Sequence, residues 1–300
     1  MSGNGQAPLP LLQVRHLSKH FVSKSGGVFR KSIEVLKAVD NVNFDIMPGE
    51  TLGIVGESGS GKTTAARCIL RALDPTSGSV IFRNNGKAID LTALPPRALK
   101  PLRRQMQMIF QDPFSSLNPR MTVGDIVAEP LLIHGIGNRR QRVASVVEML
   151  ERVGLQADHM YRYPHAFSGG QRQRIGIARA LILRPHFVVA DEAVSALDVS
   201  VQAQVLRLLM DLQKEFRLTY IFVSHDLGVV RQICNRVAVM YKGRVMEMGP
   251  TEQLFNEPRH AYTRVLLSAI PFPDPDRKLQ PLKVSDLKPE ELEPLPDVAA

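Results

Sequence analysis

The chain has 300 residues, 44% of them hydrophobic and 22% charged, the balance of an ordinary soluble globular protein with one large domain or a domain plus an appendage. Its formal charge of +9 is spread along the chain with no aromatic interleaving, so a solvated, membrane-proximal surface fits it better than nucleic acid. No apolar run approaches the ~20 residues that cross a bilayer. Met1 to Pro10 has neither a basic nor an apolar leader region, so no signal peptide and a cytoplasmic location are expected.

Leu11 to Phe44 alternates as antiparallel strand around a basic, glycine-containing interruption from Ser23 to Lys31. Thr51 to Val55 reads as a buried strand, followed by a glycine-rich turn and a helix from Lys62 to Leu73. Met106 to Phe110 alternates as a strand, and Val123 to Leu155 reads as helical, with Val143, Val146, Val147, Leu150 and Val153 on one face. From Ser168 helix and strand alternate: helix to Leu183, strand Phe187 to Ala190, helix Val201 to Phe216, strand Tyr220 to Val223. That alternation predicts a parallel sheet with right-handed crossovers. Val237 to Met248 reads as a hairpin turning at Lys242-Gly243, and Val265, Leu266, Leu267 and Ile270 form an apolar stripe. Beyond Pro271 proline and acid dominate, which predicts an extended, partly disordered tail. Cys68 and Cys234 have no CxxC partner and lie in apolar helical contexts, so they read as buried, inert thiols.

Gly56-Glu57-Ser58-Gly59-Ser60-Gly61-Lys62-Thr63 matches the P-loop pattern GxxxxGK[ST], between a strand and a helix, with Thr64 next in line. Its glycines allow successive N–H groups to turn inward as an anion nest at a helix start. Lys62 adds a charge for the β- and γ-phosphates, and the Thr63 hydroxyl is a ligand for Mg²⁺. Far downstream, the apolar strand Phe187 to Ala190 ends in Asp191 and Glu192. Buried charge without a partner is costly, so the pair calls for a use. Asp191 suits holding Mg²⁺ through water, and Glu192 suits polarising an attacking water.

Phe167-Ser168-Gly169-Gly170-Gln171-Arg172-Gln173-Arg174 resembles the ABC signature LSGGQ, with Phe167 in place of leucine. Ser195-Ala196-Leu197-Asp198 looks like the family's D-loop, Ser224-His225-Asp226 like its switch histidine and Gln111 like its Q-loop glutamine. The run Gln111 to Gly124, the segment Ser195 to Ser200 and the ending Pro258 to Pro271 look like the oligopeptide, dipeptide and nickel importer branch. Three features depart from that pattern. Ala193 and Val194 stand where most members have Pro-Thr, Ala261 replaces the proline of HPYT, and the tail lacks the cysteine cluster of some members, so no iron–sulfur centre is expected.

The resemblance implies an α/β fold: a P-loop, RecA-like parallel-sheet core with an antiparallel β subdomain and an inserted α-helical subdomain. It implies an ATPase domain over residues 10–255, with the helical part at about 112–165, and an importer-type extension over 256–300. The cofactors implied are ATP and Mg²⁺. Glu192, His225 and Lys62 would be catalytic. Residues 56–64, Gln111, Ser168, Gly169, Gly170, Gln171 and Asp198 would bind nucleotide, and Thr63, Gln111 and Asp191 would hold the metal. Phe21 is the candidate to stack on adenine, although an aromatic on an early strand is more often core. ATP would be sandwiched between two such subunits at the cytoplasmic face of the inner membrane, peripheral to permease subunits and served indirectly by a solute-binding protein. The competing reading is a non-transport ABC ATPase acting on nucleic acid or the ribosome. It is disfavoured because no sustained heptads separate the P-loop from the signature and the chain carries one ATPase domain.

Overall fold

A computed structural model of the chain describes residues 9–25, 32–112, 114–269 and 282–299. In chain order the elements are β1 (Leu12–Ser25), β2 (Ser32–Ile46), β3 (Thr51–Val55), α1 (Lys62–Ile69), β4 (Ser77–Asn84) and β5 (Lys87–Asp90). Then come α2 (Pro96–Leu102), β6 (Met106–Ile109), α3 (Val123–Ile133), α4 (Arg139–Arg152), α5 (Gly169–Leu181), β7 (Phe187–Asp191), α6 (Val199–Phe216), β8 (Thr219–Val223) and α7 (Leu227–Ile233). The chain closes with β9 (Arg236–Tyr241), β10 (Arg244–Pro250), α8 (Thr251–Asn256), α9 (Ala261–Ser268) and α10 (Pro296–Ala299). This is the α/β class expected, with both parallel and antiparallel sheet. Two compact units emerge: residues up to Leu94 together with those from Cys234 onward, and Pro95–Ile233.

In the first unit β2, β1, β4 and β5 form an antiparallel sheet, while β3 runs parallel to β9 and β9 antiparallel to β10. All five residues of β3 are buried, which is why its sequence is a nearly continuous apolar run rather than an alternating one. β1 and β2 continue into the basic interruption, because Val22 pairs with Val35 and Ser23 with Glu34. Residues 26–31 of that interruption lie outside the described ones. Helix α1 ends at Ile69, earlier than predicted, and Arg71 adopts a left-handed backbone (φ 52°) two residues later. Arg236 on β9 donates to Glu50 at 2.9 Å and to the Asp45 carbonyl at 3.1 Å. Glu50 in turn accepts from the Met47 N–H at 2.7 Å, so this largely buried carboxylate is fully engaged.

The second unit holds the parallel strands β6, β7 and β8 with α2 to α7. The continuous helix predicted from Val123 to Leu155 is two helices. Gly135 and Gly137 take left-handed angles (φ 65° and 67°), and Asn138 then opens α4 with a reciprocal cap. Gln141 N–H donates to Asn138 Oδ1 at 3.0 Å while Gln141 Oε1 accepts from Asn138 N–H at 2.8 Å. Val146 and Leu150 of the predicted stripe are buried, as is Val153 just past the helix, whereas Val143 is exposed.

The acidic tail departs from expectation over residues 282–299. It forms two 3₁₀ turns and α10, and Val298 is buried. Its backbone is tied to β10 by Leu295 N–H to the Met246 carbonyl at 3.0 Å, and its acids have partners: Glu293 with Arg244 (2.8 Å) and Asp297 with Arg259 (2.6 Å). Proline content alone suggested an extended chain, but matched charges and one apolar anchor supply a docking site. The prolines Pro271, Pro273, Pro275 and Pro281, and Ile270 of the stripe, lie outside the described residues. On α9 the buried face is Ala261, Tyr262, Thr263 and Val265, while Leu266 and Leu267 are half-buried.

Cys68 and Cys234 are both buried, and burial pushes both thiols up, Cys68 to about 11. They match the inert role expected.

Ending the chain at residue 281 removes the buried Val298 side chain, with an expected loss of about 1–3 kcal/mol. Thermal unfolding should register this as a melting temperature lower by roughly 2–6 °C. An unchanged melting curve would mean that the tail's contacts contribute nothing net.

Candidate functional site

In the first unit, β3 delivers the chain into the glycine-rich loop and α1 leaves it. Gly56 has φ 148°, and a Cβ there would overlap the Met240 carbonyl oxygen on β9, so only glycine fits. The Lys62 side chain is buried and folds back over the loop, its ammonium donating to the carbonyls of Gly56 and Glu57, each at 2.7 Å. Ser60 Oγ lies 3.4 Å from the same nitrogen. Gly61, at φ 101°, stands as the N-cap of α1 and supplies no capping side chain. The first turn of α1, with Thr63 and Thr64, therefore presents a helix N-terminus and a cation in one loop, an arrangement suited to phosphate oxygens.

In the second unit the structure brings three predicted residues together on one carboxylate. Glu192 follows β7 with a left-handed backbone (φ 46°), its N–H donating to the Val223 carbonyl at 2.9 Å. Its Oε2 accepts from Gln111 Nε2 at 2.7 Å and lies 3.3 Å from His225 Nδ1. The Glu192 side chain is only 15% exposed, whereas His225 is 57% exposed. Asp191, 2% exposed, ends β7 in register with Val223 of β8. Because Gln111 spends an N–H on Glu192, its amide carbonyl oxygen is the atom it has for a ligand. Among the described residues no group of three or more His, Cys, Asp or Glu is placed to hold a metal. A divalent ion beside these residues would thus rely on amide and single-carboxylate oxygens, hard donors that fit Mg²⁺.

Ser168 caps α5 in a reciprocal box: Gln171 N–H donates to Ser168 Oγ at 3.4 Å and Gln171 Oε1 accepts from Ser168 N–H at 3.1 Å. Phe167, in the place of the usual leucine, is buried edge-on to His159 with ring centroids 5.2 Å apart, so the position needs an apolar anchor and phenylalanine supplies it. Gly169 has room for a side chain, its Cβ position meeting Leu197 at 3.6 Å. Gly170 has none, because a Cβ would overlap Val201 Cγ1 on α6. Asp198 is exposed at the N-cap of α6 without capping it, and Phe21 is 41% exposed on β1 with Lys19 Nζ 5.2 Å from its ring centre. Ala193 and Val194 are buried after β7, and Ala261 occupies the first turn of α9, where proline and alanine both fit.

Sequence reasoning passed over Glu247, His260 and Tyr262. The buried Glu247 carboxylate accepts from the N–H groups of Arg259 and His260 at 3.0 Å each, and Tyr262 Oη accepts from Glu57 N–H in the glycine-rich loop at 3.3 Å. The signal in the sequence is the run His260-Ala261-Tyr262-Thr263, which sets a histidine and a tyrosine two residues apart.

Residues 39–195 match the family described as ABC transporter, and residues 246–294 match the oligopeptide/dipeptide transporter C-terminal region. A Brucella ovis protein named for peptide import and ATP binding is 54% identical over 271 residues, spanning 90% of this chain and 82% of its own. The glutathione import ATP-binding protein of Salmonella typhi is 53% identical over 268 residues, 89% of this chain and 42% of its own. Among solved structures, a dimeric bacterial ABC transporter cassette aligns with a TM-score of 0.69 at 30% identity, covering 80% of this chain and 98% of that one. An ATP-binding cassette in a dimeric post-hydrolysis state with ADP and Pi aligns at 0.68 and 30%, with the same coverage.

The contrast between the two glycines is directly testable. Gly170→Ala should cost about 1–2 kcal/mol through overpacking against Val201, whereas Gly169→Ala should change stability by less than about 1 kcal/mol. Urea unfolding of the two variants measures both, and equal stabilities would contradict the packing.

Proposed function

The chain belongs to the ABC transporter family, and on that premise we propose that it is the ATP-binding, ATP-hydrolysing subunit of an importer for peptides or a related small solute. The observation that carries the hydrolytic reading is the Glu192 carboxylate, held between Gln111 and His225 and largely shielded from solvent. Phosphoryl transfer asks little covalent chemistry of a protein and much positioning. Glu192 accepts a hydrogen bond from the attacking water and so polarises it, with Gln111 and His225 fixing the carboxylate's orientation. Lys62 exchanges the Gly56 and Glu57 carbonyls for β- and γ-phosphate oxygens when nucleotide arrives. Thr63 and Gln111 would hold Mg²⁺ through oxygen, with Asp191 acting through water, and the ion would neutralise phosphate charge. Residues 56–64 cradle the phosphates, and Phe21 offers its exposed face to adenine.

Ser168, Gly169, Gly170 and Gln171 serve the nucleotide of a second ATP-binding subunit, as Asp198 does. The dimeric solved structures of similar cassettes support this. We assign residues 10–255 to the ATPase domain, with the helical part at about 112–165, and residues 256–300 to the importer-type extension. The segment after Gln111 is tied to α5, which Ser168 opens. Arg172 lies 4.3 Å from the Phe114 ring centre, and Arg179 donates to the Ser116 carbonyl at 2.6 Å. That tie links the segment after Gln111 to the nucleotide-facing helix. Location is peripheral, at the cytoplasmic face of the membrane under permease subunits, with a solute-binding protein delivering cargo. The names of the relatives favour import over action on nucleic acid or the ribosome.

Lys62→Ala should weaken ATP binding by at least about tenfold, since a charge-assisted contact to phosphate is lost. Glu192→Gln should retain affinity and slow hydrolysis by about 10²-fold or more. Nucleotide binding and phosphate release measured on both variants check the division of labour; near wild-type turnover by Glu192→Gln would remove it from the base role.

The cross-subunit assignment is tested best at Gly169, because an aspartate at Gly170 would first collide with Val201 of its own chain. Gly169→Asp places a carboxylate against the partner's γ-phosphate, and ATPase of the assembled transporter should fall at least about tenfold. ATP affinity of the isolated variant should match the wild type. Loss of affinity in the isolated chain would show that the segment serves its own site.

A further inference from the structure

The Gly56–Glu57 peptide is held at both ends of its plane. Its carbonyl accepts from Lys62 Nζ at 2.7 Å, and its N–H donates to Tyr262 Oη at 3.3 Å. The first contact comes from within the loop and the second from α9. No side chain at Gly56 can brace this peptide, since a Cβ there would overlap the Met240 carbonyl oxygen. The brace on the N–H side comes from another element, α9.

Tyr262 is itself firmly placed. It is fully buried, and its ring lies against Tyr241 with centroids 4.5 Å apart at 40°. Its backbone N–H donates to His260 Nδ1 at 3.0 Å. His260 Nε2 lies 2.9 Å from the Glu293 carbonyl of the tail, so it is the protonated nitrogen and Nδ1 the acceptor. Glu247 holds the backbone of Arg259 and His260 from the other side. Burial pushes the Tyr262 hydroxyl up to about 12, which keeps it neutral.

We propose that Tyr262 is a positioning residue for the phosphate loop, its hydroxyl fixing the Gly56–Glu57 peptide plane and with it the carbonyl seat from which Lys62 moves to the nucleotide. The proposal rests on reading residues 56–63 as the nucleotide site, and it gives the C-terminal element a part in ATP binding beyond packing. Loss of the hydroxyl frees one loop peptide without emptying the core. Nucleotide binding must then re-order that peptide, which corresponds to a change in affinity of about three- to tenfold.

The test uses the full chain and three proteins: wild type, Tyr262→Phe and Val265→Ala. Val265 is buried on the same helix and has no part in the loop contact, so it reports what loosened packing alone does. Tyr262→Phe should bind ATP about three- to tenfold more weakly, with KM rising and kcat little changed, at a nearly unchanged melting temperature. Val265→Ala should melt lower and bind ATP as the wild type does. Wild-type affinity in Tyr262→Phe, or an equal loss in Val265→Ala, overturns the proposal. Amide exchange on the unaltered protein gives a reading that needs no variant: Glu57 N–H should be protected, and exchange at the rate of an open loop overturns the proposal too. A wild-type chain that binds no ATP overturns the nucleotide reading itself, an outcome distinct from every one above.

Discussion

The Lys62 ammonium resting between the carbonyls of Gly56 and Glu57 is the contact around which the glycine-rich loop is arranged. A loop that is to receive a phosphate must leave donors facing the ligand while its acceptors point elsewhere, and a buried cation needs those acceptors. The two requirements meet in one residue. Strand β3, buried along its whole length, fixes where the loop starts, and α1 fixes where it ends. Between them the carbonyls of Gly56 and Glu57 turn toward Lys62. Replacing Lys62 by an uncharged side chain would therefore disturb the resting loop as well as the bound one.

The acidic side of the chemistry depends on backbone strain. Glu192 has φ 46°, a conformation that costs a residue with a Cβ about 1 kcal/mol or more. Glycine would relieve it and would forfeit the carboxylate. The surrounding bonds hold the residue there: its N–H reaches the Val223 carbonyl, and its own carbonyl accepts from both the N–H and the hydroxyl of Ser195. Gln111 and His225 then meet the side chain from β6 and β8, two strands that end at the same edge as β7.

Much of this was legible in the sequence because the information is local. Strands buried on both faces appear as apolar runs, and phosphate-loop and capping patterns are short. The α3–α4 break was also written there, in Gly135, Gly137 and Asn138, but the valine stripe of α4 suggested one continuous helix. Tail docking was hidden because a proline-rich acidic composition does not show that Glu293 and Asp297 have arginines waiting. Two contacts lay beyond any local reading. Gly170 is small because of Val201 on the next helix, and Glu57 meets Tyr262 across 205 positions of chain.

The two buried cysteines have a practical consequence. Thiol-directed dyes and spin labels attack the thiolate, and burial suppresses it at both Cys68 and Cys234. A single cysteine introduced at an exposed site such as Ser168 or Asp198 would then be the most reactive thiol in the folded chain. Distance reporters on a pair of subunits could be attached there without first stripping the native sulfurs from the core.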